Sequence, residues 1–401
     1  MLALTALLSS SGLLFDLNGT HVFTNGLAGV ENYRIPAIVQ AGNGRLVAFA
    51  EARNGGDNSA SRIATRWSDD GGQTWSPVTF AAGHEDSPTW RMRCNLWGVK
   101  TDCRAGNPAA VYNASSGEVV LVYVLRGFDQ GGDDIGNGMT VSSDGGETWK
   151  PPTDVSGQWG AAASSMPGPG TALILEAAGG KGPAGRLLVA SHHGAYTRDY
   201  VTYSDDRGAT WHLSNTSFPK MDEAAITQLP NGSVLINMRH TQSPKLGRAT
   251  ALSDNGGESF GPILYDRRLV SPVCQASIVS FGGATYFSNP ASSSGRTHLT
   301  VRRSLDSTAT WGGALLVQGG HSSGYSCLVK GALQNQKGKG GRAGDGSASA
   351  RVAGAGASAG VEESRAAGGG SVEGGLLYEA TDSSIKFGRF PLALFDALEE
   401  A

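Results

Sequence analysis

The chain has 401 residues, 17% of them charged, and a formal net charge of -3. That length suits one large domain or two or three ordinary ones. So small a charge gives no broad field for nucleic acid or an anionic membrane surface, and no apolar run reaches the 18 residues that would suggest a transmembrane helix.

The N-terminal MLALTALLSSSGLLF is apolar and short, without a basic n-region or a clear cleavage site. Residues 1–16 therefore read as a separate segment, either a signal remnant or a buried first strand. From Leu17 onward the chain is a series of short β-like runs bounded by turns, among them GRLVAFAEAR, GEVVLVYVL, GRLLVASHH, GSVLINMRH and GATYFSNPA. Helical periodicity is scarce.

A repeat punctuates these runs. SDDGGQTW begins at Ser68, SSDGGETW at Ser142 and SDDRGATW at Ser204, all fitting S-x-D-x-G-x-T-W. SDNGGESF at Ser253 and SLDSTATW at Ser304 are weaker copies. Neighbouring copies lie roughly 50 to 75 residues apart, about one four-stranded blade with a long loop. In the full copies Asp bonds its local backbone, Gly takes positive φ without strain, and the aromatic ring packs into the blade. The repeats are scaffold rather than catalysis. Together with the strands they predict an all-β fold, a six-bladed β-propeller spanning residues 17–401.

From Gly331 to Gly375 the composition turns to Gly, Ala and Ser with almost no large apolar side chains. Such a stretch cannot bury enough surface to offset its ordering entropy and reads as a disordered insert in the last blade. GLLYEATDSSIKFGRFPLALF then returns to strand chemistry and closes the ring.

The four cysteines, Cys94, Cys103, Cys274 and Cys327, form no paired C-x-x-C, and His192 and His193 are adjacent rather than spaced as ligands. No metal and no organic cofactor are expected. Cys94 and Cys103 flank a short loop and either pair or stay free thiols. Sequons at Asn18, Asn113, Asn215 and Asn231 lean weakly toward a secreted or lumenal protein and leave the compartment open.

YRIPAIV, with Arg34 before Ile35 and Pro36 and the repeats downstream, resembles the arginine motif of the sialidase (neuraminidase) family. The resemblance runs from about Leu17 to Phe395, apart from the insert. It implies three arginines around a substrate carboxylate: Arg34, Arg248 in KLGRATALSDNGG and Arg296 in SSSGRTHL. A guanidinium suits this because it is always charged and binds a carboxylate through two parallel donors. The same resemblance implies Asp57, in FAEARNGGDNSASR, as general acid/base, with Arg53 near the sugar 4-hydroxyl. Tyr325, in HSSGYSCLV, is then the nucleophile, Glu223, in MDEAAITQL, its base, and Glu379, in GLLYEAT, the prop behind Arg34. A neutral phenol suits an anomeric carbon that carries its own carboxylate, where a carboxylate nucleophile would meet like charge. Its ordinary pKa near 10 calls for a base within hydrogen-bond reach.

Asp222 precedes Glu223 and, on an extended strand, points to the opposite side. Asn107, in AGNPAAVY, stands where bacterial relatives often carry Asp, and MPGPG resembles a pocket-wall element. The activity so implied is an exo-α-sialidase acting on sialylated glycans as a monomer. Alternatives are a catalytically dead sialic-acid-binding propeller, a trans-sialidase, or a hydrolase for the deaminated sugar.

Overall fold

A computed structural model describes residues 19–57, 59–83, 103–127, 134–159, 165–177, 181–193, 197–329 and 372–399, together with Leu17 and short strands at 7–9, 12–14 and 333–334. The chain is all-β and propeller-like, its sheets set around a common axis with the inner strands adjoining one another. The first meander is Asn32–Gln40, Leu46–Arg53, Ser61–Ser68 and Thr79–Ala82. A second, Cys103–Asn113, Glu118–Gly127, Asp134–Ser142 and Thr153–Asp154, joins it in one nine-stranded sheet through a single parallel bridge, Ser61 to Arg104. The remaining sheets are built on Leu187–His193 with Arg198–Ser204, on Met221–Gln228 with Val234–His240, on Ser277–Phe281 with Ala284–Pro290, and on Val372–Glu379 with Ile385–Pro391.

The N-terminal strand Thr20–Phe23 pairs antiparallel with Ile385–Pro391, so the start of the chain completes the last sheet. Leu7–Ser9 and Gly12–Leu14 form a hairpin on the edge of the sheet that contains Ala314–Gln318. Two expectations change near the C-terminus. Strand Val372–Glu379 begins inside the Gly-rich stretch, and Ala393–Glu399 is a helix rather than strand. The helix buries Phe395 against Tyr286 and Phe390, and its Asp396 and Glu399 pair with Arg303. Most of the insert, residues 335–371, lies outside the described residues, as does Cys94, on which the choice between a Cys94–Cys103 pair and free thiols rests. No helix among the described residues is long and apolar enough to cross a membrane.

All five repeat copies close the same turn. The serine hydroxyl accepts the backbone N–H four residues on in every copy, at 2.7–2.9 Å. The acidic residue accepts from the Thr four residues later: Asp70 from Thr74, Asp144 from Thr148, Asp206 from Thr210 and Asp306 from Thr310. In the fourth copy Asn255 and Ser259 make the equivalent neutral pair. The sequence suggests rings packed within their own blade; in the structure they reach toward the preceding meander. Trp75 packs on Phe387, Trp149 on Phe49 and Phe260 on Phe218, while Trp311 Nε1 bonds Asp266. These four repeats therefore fasten neighbouring meanders together.

The fifth copy carries a cost. Ser307 and Thr308 sit at φ 54 and 71, where the first copy has Gly71 and Gly72 at 72 and 88. A β-branched residue in the left-handed region is strained. Thr308→Gly is expected to stabilise the fold by about 1 kcal/mol, read as a rise in the urea midpoint; an unchanged or lower midpoint would show that the turn is unstrained.

Candidate active site

The inner strands bring their N-terminal ends to one mouth, and three of them bulge there. The register shifts between Arg34 and Ala37, between Gly106 and Ala109, and between Asp222 and Ala224. Ile35 and Asn107, each before a proline, take φ 60 and 47. A bulge breaks the two-residue alternation and re-aims side chains, which is how Arg34 comes to face the axis.

Tyr325 is the centre of the arrangement. Its hydroxyl donates to Glu223 Oε1, and Arg239 Nη1 donates to the Tyr325 hydroxyl oxygen at 3.2 Å while bonding Glu223 Oε2 at 2.6 Å. The guanidinium carbons of Arg34 and Arg296 each stand 5.5 Å from the Tyr325 ring centre. Ile35 and Cys274 pack beneath the ring. Burial, and then the Glu223 carboxylate, push the phenol well above its ordinary pKa, so it keeps its proton and holds it on Glu223.

Glu379 ties this centre together. Buried to 3%, it accepts Arg34 Nε at 2.6 Å, Ile35 N at 3.1 Å and Tyr325 N at 2.9 Å. One carboxylate therefore holds an arginine, a strained backbone and the tyrosine's own peptide.

Across the mouth, Asp57 is 77% exposed at its side chain, with Arg53 Nη1 at 2.5 Å and Arg34 Nη1 at 3.6 Å. Burial raises its pKa in part, but the charge and hydrogen bond of Arg53, with Arg34 and Arg104, bring it below the usual value. Behind it, fully buried Glu51 accepts from Arg53, Arg104 and the Asn107 N–H. Burial opposes ionisation of Glu51, yet Arg104, Arg53 and that N–H hold it at about 2.

Two expectations from the sequence, on Arg248 and on Asp222, are corrected. Arg248 does not reach the mouth. It is 1% exposed and spends its guanidinium on Asn237 Oδ1 and the Cys274 carbonyl, both at 2.7 Å. It starts two strands out from the axis, whereas Arg239, one strand out, stands beside Tyr325. Arg53, expected near the sugar 4-hydroxyl, stands beside Asp57, 2% exposed and engaged by Glu51 and Asp57. Asp222 does not point away from Glu223. The bulge lets it accept the Glu223 N–H at 2.6 Å and pair as an ion with Arg239, Nε standing 2.8 Å from its Oδ2. The signal that could have found Arg239 is its place at the end of the hairpin strand paired with the Asp222–Glu223 strand.

Arg34, Glu223, Arg296, Tyr325 and Glu379 are gathered as a group, and Asp57 faces them. Arg296, half-buried, bonds the Ser323 carbonyl at 2.7 Å and has no carboxylate partner among the described residues. Arg302 and Arg303, on strand Leu299–Ser304, lie elsewhere, Arg303 paired with Asp396 and Glu399 of the C-terminal helix.

The family model described as a BNR repeat-like domain matches residues 93–334, and the BNR/Asp-box repeat model matches residues 66–77. A sialidase of Micromonospora viridifaciens is 32% identical over 340 residues, covering 76% of this chain and 49% of that protein. An exo-alpha-sialidase of Arthroderma benhamiae is 28% identical over 339 residues, 75% of this chain and 76% of its own length. The chain thus spans about half of the first relative and three quarters of the second. Among solved structures, a Hadza microbial sialidase superposes with a TM-score of 0.73 at 22% identity, over 94% of this chain and 69% of that one. A leech intramolecular trans-sialidase gives 0.70 at 17%, over 96% and 71%. At those identities the likeness shows the fold.

Two outcomes are expected. Glu379→Ala leaves three buried donors unpaired and should cost about 3–5 kcal/mol in urea unfolding; a loss under about 1 kcal/mol would mean the clasp is dispensable. Glu51 has a depressed folded-state pKa, so its contribution is complete above the unfolded value of about 4.3 and is lost as pH falls toward 2. The urea midpoint should drop through that window, and a flat midpoint would contradict it.

Proposed function

The chain belongs to the sialidase family with BNR/Asp-box repeats, and from that premise we propose that it is an exo-α-sialidase releasing terminal sialic acid from glycans with retention, through a covalent bond to Tyr325. The observation that carries the reading is the hydrogen bond from Tyr325 to Glu223 inside a ring of three guanidiniums, Arg34, Arg239 and Arg296. On the same reading the nine-stranded sheet counts as two blades, since one parallel bridge joins its two meanders, and the propeller has six.

The substrate carboxylate engages Arg34, Arg239 and Arg296, with Arg296 supplying the uncompensated charge. The Asp57 carboxyl passes its proton to the glycosidic oxygen, and the bond from that oxygen to the anomeric carbon breaks. The Tyr325 oxygen bonds to the same carbon as its proton moves to Glu223. In the second half Asp57, now a carboxylate, takes a proton from water. That water's oxygen bonds to the anomeric carbon, and Tyr325 leaves, recovering its proton from Glu223. Two displacements restore the starting configuration.

Asp57 must hold a proton for the first step, yet the neighbouring arginines favour its charged form. A bound sialoside changes both influences, because its carboxylate offsets the Arg34 charge and its ring covers Asp57 from water. Both raise the acid toward a working value. The family resemblance also admits a pure binding module and a transferase, which differ from a hydrolase in products rather than in fold.

The test is an aryl α-sialoside assay with the first-formed anomer followed by NMR. The wild type is expected to release α-sialic acid, and Tyr325→Phe to lower kcat/KM on the order of 10³-fold or more. Tight binding without release would leave a lectin, transfer to added galactosides would leave a transferase, and an initial β-anomer would exclude the tyrosyl intermediate.

A further inference from the structure

A second cavity of about 410 Å³ opens beside Arg34, on the side of the acid's loop. Its walls are Asn25, Glu31, Asn32, Gly56, Ser323 and Ser383, and its floor is the Arg34–Glu379 pair. The loop wall is fixed, because Asn32 Nδ2 bonds the Gly55 carbonyl at 3.4 Å and Ser59 Oγ bonds the Gly56 carbonyl at 2.8 Å. Around Gly56 there is open space where a side chain would begin. Arg34 joins cavity and acid, since its Nη1 is 3.6 Å from Asp57 while its Nε is on Glu379.

The lining is amide and hydroxyl, the pattern that meets sugar hydroxyls. Its charges are unequal. Arg34 and Glu379 offset one another at 2.6 Å, which leaves Glu31, exposed at the rim and without an ion-pair partner among the described residues, as the net charge of the cavity. The mouth that takes the sialic acid carboxylate is cationic at Arg296, whereas the adjoining cavity is anionic at Glu31.

We infer that this cavity receives the leaving sugar, and that Glu31 makes it select a neutral hexose over an anionic one such as a second sialic acid. The inference rests on the hydrolase reading above, in which Asp57 protonates the departing oxygen. A general acid stands on the leaving-group side of the bond it breaks, and the backbone just before Asp57 is the wall of this cavity. A neutral sugar can donate hydroxyl hydrogens to Glu31, while a second carboxylate would meet like charge. Because Glu31 is exposed, the discrimination is several-fold rather than absolute, and salt weakens it.

The experiment compares kcat/KM on α2,3-sialyllactose with that on an α2,8-linked disialoside, with an aryl sialoside alongside. The proteins are wild type, Glu31→Lys and Ser383→Asp, the last placing a carboxylate on the facing wall. Ser383 sits at φ 60, a conformation that Asp tolerates, and melting curves check that each variant is folded. The wild type should favour sialyllactose, with its preference shrinking in 0.5 M salt. Glu31→Lys should narrow that preference about fivefold or more, and Ser383→Asp should widen it. Preferences within twofold of wild type in both variants, while the aryl sialoside is still cleaved, would overturn the subsite. A wild type that cleaves no sialoside at all would overturn the parent reading instead.

Discussion

The carboxylate of Glu379 is the point on which the site depends. It is buried, and it receives three donors from two parts of the chain more than 250 residues apart: the Arg34 side chain, the Ile35 amide and the Tyr325 amide. An anion removed from water is stable only when paired and hydrogen-bonded, and here the groups that satisfy it are those that must be positioned. Ile35 is β-branched and left-handed, a conformation that persists only where its surroundings over-determine it. The bond from its amide to Glu379 is part of that determination. Pairing of Thr20–Phe23 with Ile385–Pro391 supports the same clasp from outside, because it fixes the first strands of the chain against the sheet that carries Glu379.

Around this clasp the strand ends depart from regular β geometry. Regular alternation would send consecutive residues to opposite faces, and it would separate Asp222 from Glu223. The extra residue in the bulge instead gathers both carboxylates on Arg239, whose Nη1, while bonded to Glu223, also faces the Tyr325 hydroxyl. The Ile35–Pro36 and Asn107–Pro108 bulges do the same for Arg34 and for the Asn107 amide that binds Glu51. The scaffold is regular where it packs and irregular where it presents chemistry, as expected where local rules yield to function.

That division explains what could be read from residues alone. The repeats were legible because their bonds are local: a serine, an acid and a threonine within seven positions close each turn. Even the Asn255 and Thr308 copies keep the pattern. Arg34, Glu223, Tyr325 and Glu379 were legible through motif resemblance. The choice between Arg239 and Arg248 was not, since both lie on short strands downstream of Glu223. What separates them is depth in the sheet, at about 4.8 Å per strand. Arg248 begins farther from the axis and ends inside the protein on Asn237 and Cys274. The strand reading of PLALF failed for a related reason: five apolar-rich residues do not reveal whether a sheet or a helix will cover Tyr286.

The electrostatic design follows from these placements. Glu379 binds Arg34, Asp222 and Glu223 bind Arg239, and Glu51 and Asp57 bind Arg53, so most guanidiniums at the mouth arrive with a carboxylate already attached. A mouth lined with bare arginines would repel itself and unfold locally. One built only of closed pairs would have nothing left for an anion. Arg296, held by a neutral carbonyl, breaks that symmetry. It gives the mouth one net attraction while the paired arginines contribute direction, their donors fixed before any ligand arrives. On the proposed function, affinity for the substrate carboxylate and geometry for the reaction reside in different arginines. Losing Arg296 should weaken binding, whereas losing a partner of Arg34 or Arg239 should misplace it.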